Sequence, residues 1–252
     1  MNNIEMIDGP FEGRIYKPVT ETNLPGIFLL HGSDGGWTGW NAEFALWLSM
    51  HGFITYAFPY SKNGNAWNSG DIENIELDKT EEAMKVFQSE ICNGQKIGLY
   101  GVSRGGEKAL LLASLMAADD DNQWLPDAVA VHSPADVVVG AFRAAYAREG
   151  KEEECWDPGA LSWTWRGSSD GIMPGTPIKI ENYEGPLFLS HGTEDMMWSC
   201  EMTRRIEKRL RASGRSPEVH YYEGQGHGFD METLNIQRNR IVDFFTKNLT
   251  IA

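Results

Sequence analysis

A chain of 252 residues, 41% apolar and 23% charged, has room for one large α/β domain with a full core, or at most two small ones. Its net charge of −14 argues against nucleic acid or an anionic membrane surface as a partner. Three widely spaced cysteines (Cys92, Cys155, Cys200) without a C-x-x-C pair indicate neither a disulfide framework nor a zinc site. No run approaches the roughly 20 apolar residues of a membrane span, and the first residues lack the basic and apolar regions of a signal peptide, so a reduced, cytoplasmic setting is expected.

In chain order, residues 1–25 are turn-rich, with one edge strand expected over 11–16. Residues 26–31 read as a strand buried on both faces, as a parallel sheet requires. It runs into Gly32-Ser33-Asp34-Gly35-Gly36, too rich in glycine for a helix. A helix is expected over 41–50, a strand over 53–58, and an acidic helix over about 72–91 after a Gly/Asn-rich loop. A short strand at 97–100 leads into an Ala/Leu-rich helix running to about residue 118, closed by the solvated turn Asp119-Asp120-Asp121. Another buried strand covers 127–132. Residues 136–183 then break the rhythm with Glu152-Glu153-Glu154, three tryptophans (Trp156, Trp163, Trp165) and a Gly/Pro-rich tail, and read as a cap-like insertion rather than a separate domain. Order resumes with a strand at 186–191, a helix at 198–212, a strand at 218–222 and a last helix to about 248. Strands alternating with helices predict a doubly wound, mostly parallel α/β sheet with helices on both faces. Its ligands belong at the carboxyl ends of the strands, where the glycine-rich loops fall.

The junction at 96–110 organises the rest. Gly101-Val102-Ser103-Arg104-Gly105 is G-x-S-x-G between a strand and a helix, the setting of a nucleophile elbow. A serine there needs strained backbone angles and glycines around it, and the N-terminus of the next helix favours negative charge near its hydroxyl. The hydroxyl also needs a base, itself held by a third group. Gly192-Thr193-Glu194-Asp195 and Gly226-His227-Gly228 supply them in the order Ser103, Asp195, His227. Glu194 rivals Asp195. His31, His132 and His191 also end strands and could reach the same edge, His31 more plausibly ordering its glycine loop. His51 and His220 look like helix-end and strand positions. Oxyanion donors are expected from the backbone N–H of Arg104 and of Ser33, with Asp34 as runner-up. Trp37, Trp40, Trp67, Trp198 and the cap tryptophans suit either an apolar acyl pocket or the core. Glu107, in the first turn of the elbow helix, is assigned no catalytic role.

These residues give the chain a resemblance to the α/β-hydrolases over about residues 20–250. More narrowly it resembles the C-terminal catalytic domain shared by acyl-CoA thioesterases and bile acid-CoA:amino acid N-acyltransferases. Gly101–Glu107, Pro177–Pro186 and Gly192–Ser199 carry the narrower match. The resemblance implies a serine hydrolase with nucleophile, acid and base at Ser103, Asp195 and His227, acting on an acyl thioester or carboxylic ester. Acyltransferase members carry cysteine at the nucleophile position, so Ser103 favours hydrolysis. The animal enzymes have a β-sandwich domain ahead of the catalytic one, where only residues 1–25 precede the core here, and often two aspartates where this chain has Glu194-Asp195. A small ester or lactone, as in dienelactone hydrolase-like relatives, therefore stays open beside a CoA thioester. So do acyl transfer to an amine and a homologue that only binds a ligand. No metal or cofactor is implied, the expected partner is a small-molecule acyl substrate, and nothing bears on oligomeric state.

Overall fold

The structure, a computed structural model, describes residues 3–19, 22–35, 40–63, 69–151 and 154–250, leaving aside the side chains at 40, 147 and 148. The chain opens with a hairpin of β1 (Ile4–Asp8) and β2 (Arg14–Pro18). The single edge strand expected over 11–16 is corrected by this hairpin. Glu12 and Gly13 both take left-handed angles (φ 64° and 78°), which makes Phe11 part of the turn and delays the strand to Arg14. There follow β3 (Gly26–Leu30), α1 (Trp40–Met50), β4 (Ile54–Phe58), β5 (Ile75–Glu76), α2 (Leu77–Val86), β6 (Ile97–Val102) and α3 (Arg104–Ala118). Next come β7 (Ala128–His132), β8 (Ala141–Phe142), α4 (Ala144–Arg148), β9 (Trp156–Asp157) and β10 (Trp163–Thr164). The chain ends with β11 (Leu187–Gly192), α5 (Cys200–Ala212), β12 (Glu218–Tyr222) and α6 (Met231–Leu249).

Among the described residues, eight strands form one sheet in the order β1-β2-β4-β3-β6-β7-β11-β12. The two contacts made by β2 are antiparallel and every other neighbouring pair is parallel. The apolar runs are what a sheet covered on both sides needs. Along β3, Phe28 and Leu30 enter the core on one face, and Ile27 and Leu29 enter the core on the other. All five residues of β3, β4 and β7 are buried.

Two expectations about the connections need revision. The helix expected from about residue 72 starts at Leu77, because Asn74 is left-handed (φ 53°) and Ile75–Glu76 pair in parallel with Trp163–Thr164. The turn at 119–121 is more than solvated. Asp119 takes the Arg166 guanidinium at 3.0 Å, and Arg166 also reaches Asp78 at 2.9 Å and Glu81 at 2.8 Å. The stretch between β7 and β11 is thus tied down to α2 and the end of α3. The carboxyl ends of β3, β6, β7, β11 and β12 share one rim, and every loop of interest leaves from it.

Candidate active site

Ser103 sits between β6 and α3 at φ 53° and ψ −119°, a backbone conformation that side-chain-bearing residues rarely take. Its neighbours permit it only as glycine. A Cβ on Gly101 would lie 2.1 Å from the carbonyl oxygen of Gly105, and one on Gly105 would lie 2.3 Å from that of Leu30. The turn is pinned to the adjacent strand by the Ser103 N–H, which donates to His132 O at 2.8 Å. As the first residue of α3, Arg104 has a backbone N–H with no acceptor inside the helix.

The acid and base loops meet because β11 and β12 are neighbours. Gly192 lets them close up, since a Cβ there would lie 2.3 Å from Gln225 O. His227 Nδ1 donates to Asp195 Oδ2 at 2.7 Å, which leaves Nε2 as the basic nitrogen. Asp195 is buried, whereas its rival Glu194 is exposed. The other Asp195 oxygen accepts the N–H groups of Met197 and Trp198, both at 2.9 Å. His191 adds a brace that sequence reasoning did not assign. Its Nε2 lies 2.7 Å from Trp198 O and 3.2 Å from Asp195 Oδ2, and its Nδ1 accepts from the Thr203 hydroxyl at 2.7 Å. Burial would push the Asp195 carboxyl up, but the hydrogen bonds from His191, His227 and Trp198 outweigh it and hold the group well below the usual carboxylate range.

His132 and His31 take supporting positions. His132 Nε2 lies 3.2 Å from the backbone oxygen of His227, and the His132 ring stands edge-on to Phe229, so it steadies the loop that carries His227. Burial, with His227 and His191 alongside, lowers its pKa to about 3 and keeps the ring neutral. His31 stacks on Tyr60 with ring centres 4.0 Å apart and donates from Nδ1 to Gly32 O at 2.6 Å, ordering the glycine loop as expected. Its pKa is also lowered to about 3 by burial. His51 caps its own helix by a 2.7 Å contact with Trp47 O, and His220 lies in β12 beside Glu218.

A cavity of about 340 Å³ opens over Ser103 and is lined by Gly32, Ser33, Asp34, His132 and His227 as well. The structure therefore brings Ser103, His227 and the Ser33 loop to one space, with Asp195 directly behind His227. Trp156 and Trp198 line the cavity, whereas Trp163 is wholly buried in the core. Trp37, Trp67, Glu152 and Glu153, and the side chain of Trp40, lie outside the described residues.

Comparison with known proteins follows the same lines. A family model described as alpha/beta hydrolase fold matches residues 75–231. The chain belongs to the α/β-hydrolase family. This α/β-hydrolase is 26% identical over 231 residues to human acyl-coenzyme A thioesterase 6, a match covering 88% of this chain and 53% of the relative, so the chain spans about half the length of that relative. Among solved structures it is similar in fold to a Klebsiella pneumoniae protein classed as a dienelactone hydrolase, at a TM-score of 0.69 and 13% identity over 98% of this chain and all of that one. It is similar also to an esterase from Thermogutta terrifontis, at a TM-score of 0.60 and 17% identity over 98% of this chain and 92% of that one.

Sequence reasoning about this α/β-hydrolase missed a buried charged cluster on the first turn of the elbow helix. Arg104 and Glu107 are completely buried and paired at 2.9 Å. Arg104 also donates to Gly140 O at 2.8 Å and to the Ser162 hydroxyl, and its guanidinium lies over the Trp163 ring. Glu107 Oε1 accepts from Val139 N–H and Trp163 Nε1, both at 2.9 Å. Burial pushes the Glu107 carboxyl up, against the pull of Arg104 and these donors. Lys108, also completely buried, presents its amine to the Tyr60 ring at 4.1 Å, and burial holds its pKa well below the usual lysine value. A signal existed: the rest of α3 is Ala/Leu-rich and reads as buried all round, so its charges had to be buried too.

Proposed function

We propose that this α/β-hydrolase is a serine hydrolase that cleaves a carboxylic ester or acyl thioester, with Ser103 as nucleophile, His227 as general base and acid, and Asp195 as the group that orients His227. The observation that carries the reading is the 2.7 Å bond from His227 Nδ1 to the buried Asp195, at the edge of a cavity that also holds the strained Ser103. In this scheme His227 Nε2 takes the Ser103 proton as Oγ attacks the carbonyl carbon. The backbone N–H groups of Ser33 and Arg104 receive the developing oxyanion, each of such donors typically contributing about 10²–10³ in rate. His227 then protonates the departing thiol or alcohol, leaving an acyl-Ser103 ester, and a water deprotonated by His227 releases the carboxylic acid. Burial keeps the His31 and His132 rings neutral, so neither competes with His227 for the proton of Ser103.

The same reading treats the chain as one α/β-hydrolase unit with residues 136–183 as a cap, places it in the cytoplasm, and takes the acyl-CoA thioesterases as the nearest model of its chemistry. Among the described residues no helix is long and apolar enough to cross a membrane, and all three cysteines are buried and in no disulfide. The test is twofold. A fluorophosphonate probe should label Ser103, and absence of labelling would leave only a ligand-binding homologue. Matched acyl-CoA thioesters and p-nitrophenyl esters then separate the leaving groups, because a kcat/KM on simple esters equal to or above that on thioesters removes the thioesterase reading.

A further inference from the structure

The cavity over Ser103 is lined by residues of two kinds. Phe44, Val102, Phe229 and Leu234 make it apolar, as an acyl pocket should be. Three further lining residues do not fit a hydrocarbon tail. Asn41, at the start of α1, is 2% exposed, and neither its amide nitrogen nor its amide oxygen has a hydrogen-bond partner. Tyr100, on β6 three residues before Ser103, is buried and lines the same cavity near Arg238. Arg238 on α6 is 4% exposed and packs its guanidinium over the Phe44 and Trp47 rings. One of its nitrogens pairs at 3.0 Å with Glu43, whose side chain is largely exposed to solvent.

An orphaned buried amide loses its water without regaining a hydrogen bond, and a buried guanidinium held by one surface carboxylate is poorly compensated. Neither belongs in a pocket for an alkyl chain. Together they form a donor set, a planar guanidinium fork, an amide N–H₂ and a phenol O–H, that suits a carboxylate.

We propose that this pocket selects a short acyl group whose far end carries a carboxylate, so that the substrate is the monoester or monothioester of a dicarboxylic acid, with Asn41, Tyr100 and Arg238 receiving the remote carboxylate. This deepens the hydrolase reading and rests on it. The cavity of about 340 Å³ has room for such an acyl group.

The experiment compares p-nitrophenyl hemiglutarate with p-nitrophenyl hexanoate, similar in length and differing in the terminal charge. Wild-type enzyme is expected to favour the hemiglutarate by about tenfold or more in kcat/KM, the typical worth of a hydrogen bond to a charged group. Arg238→Met should erase that ratio, chiefly through a higher KM for the hemiglutarate, and Arg238→Lys should keep part of it. A wild-type preference for the hexanoate, or a ratio unchanged in Arg238→Met, overturns the proposal while leaving ester hydrolysis standing. Melting temperatures show whether each variant is folded. The second readout needs no turnover: free glutarate should raise the melting temperature of Ser103→Ala and not that of Ser103→Ala/Arg238→Met. Equal shifts in the two would refute the carboxylate site. Failure of wild-type enzyme to react with any ester or with a fluorophosphonate would refute the hydrolase reading instead.

Discussion

Two buried polar clusters flank the elbow, and they use burial in opposite ways. Around Asp195, each carboxylate oxygen has donors, and the cluster ends on a cavity where the His227 imidazole is half-buried. Around Arg104, Glu107 and Lys108, charge is sealed completely and its hydrogen bonds run to residues 139–140 and 162–163. The first arrangement keeps one nitrogen, His227 Nε2, available for proton transfer. The second leaves no titratable atom open to solvent and spends its bonds on holding loops together. Burial alone therefore does not mark a reactive group. What separates the two is whether the chain of hydrogen bonds ends at an open space.

The comparison predicts a division of labour that substitution can test. The largest effect belongs to Ser103→Ala, expected to lower kcat by about 10⁶ and abolish fluorophosphonate labelling with little change in melting temperature. Asp195→Asn should follow, with a loss of about 10⁴ in kcat because the amide favours the wrong His227 tautomer. Steady-state kinetics would show it, and a loss under about tenfold would move the orienting role elsewhere. On the other side of the elbow, Glu107→Ala strands Arg104 in the interior and is expected to cost about 3–5 kcal/mol in urea denaturation. A destabilisation under about 1 kcal/mol would mean that the sealed cluster is not what holds residues 139–140 and 162–163 in place.

Lys108→Met should give the smallest effect, and one of opposite sign. Burial depresses the Lys108 pKa, so below pH about 10.4 the unfolded chain binds a proton that the folded chain lacks. Stability of the wild type accordingly rises with pH from the folded pKa up to that value. Replacement by methionine is expected to add about 1–3 kcal/mol at neutral pH and flatten the alkaline rise, as measured by thermal melts across pH. A variant with an unchanged pH profile would contradict the neutral, buried lysine.

Much of this site was readable from residues alone, because each feature was local. G-x-S-x-G between an apolar run and an Ala/Leu-rich helix is the setting of an elbow, and Asp195 and His227 each follow a strand in a glycine-containing loop. Six strands of the sheet (β3, β4, β6, β7, β11 and β12) followed from runs of the right length, though the β1–β2 hairpin did not, since its pairing is short-range and β1 is half-exposed. The helix start at Leu77 was hidden because Ile75–Glu76 pair with a strand 88 positions away. The polar end of the cavity was equally hidden. Asn41 and Arg238 lie on the first and last helices, and no spacing rule joins them. His191 was seen as a strand end, but its part in holding Asp195 depends on a turn at Trp198 that only three dimensions close.

Arg104 faces two ways. In the proposed mechanism its main chain belongs to the place where negative charge would gather during attack, while its side chain is the anchor on which residues 139–140 and 162 hang. The proposed cap, fastened at that point, could not swing open without tugging on the amide beside Ser103. Remodelling the lid to admit a different substrate would therefore disturb turnover as well as affinity, unless the guanidinium's grip on those carbonyls were kept.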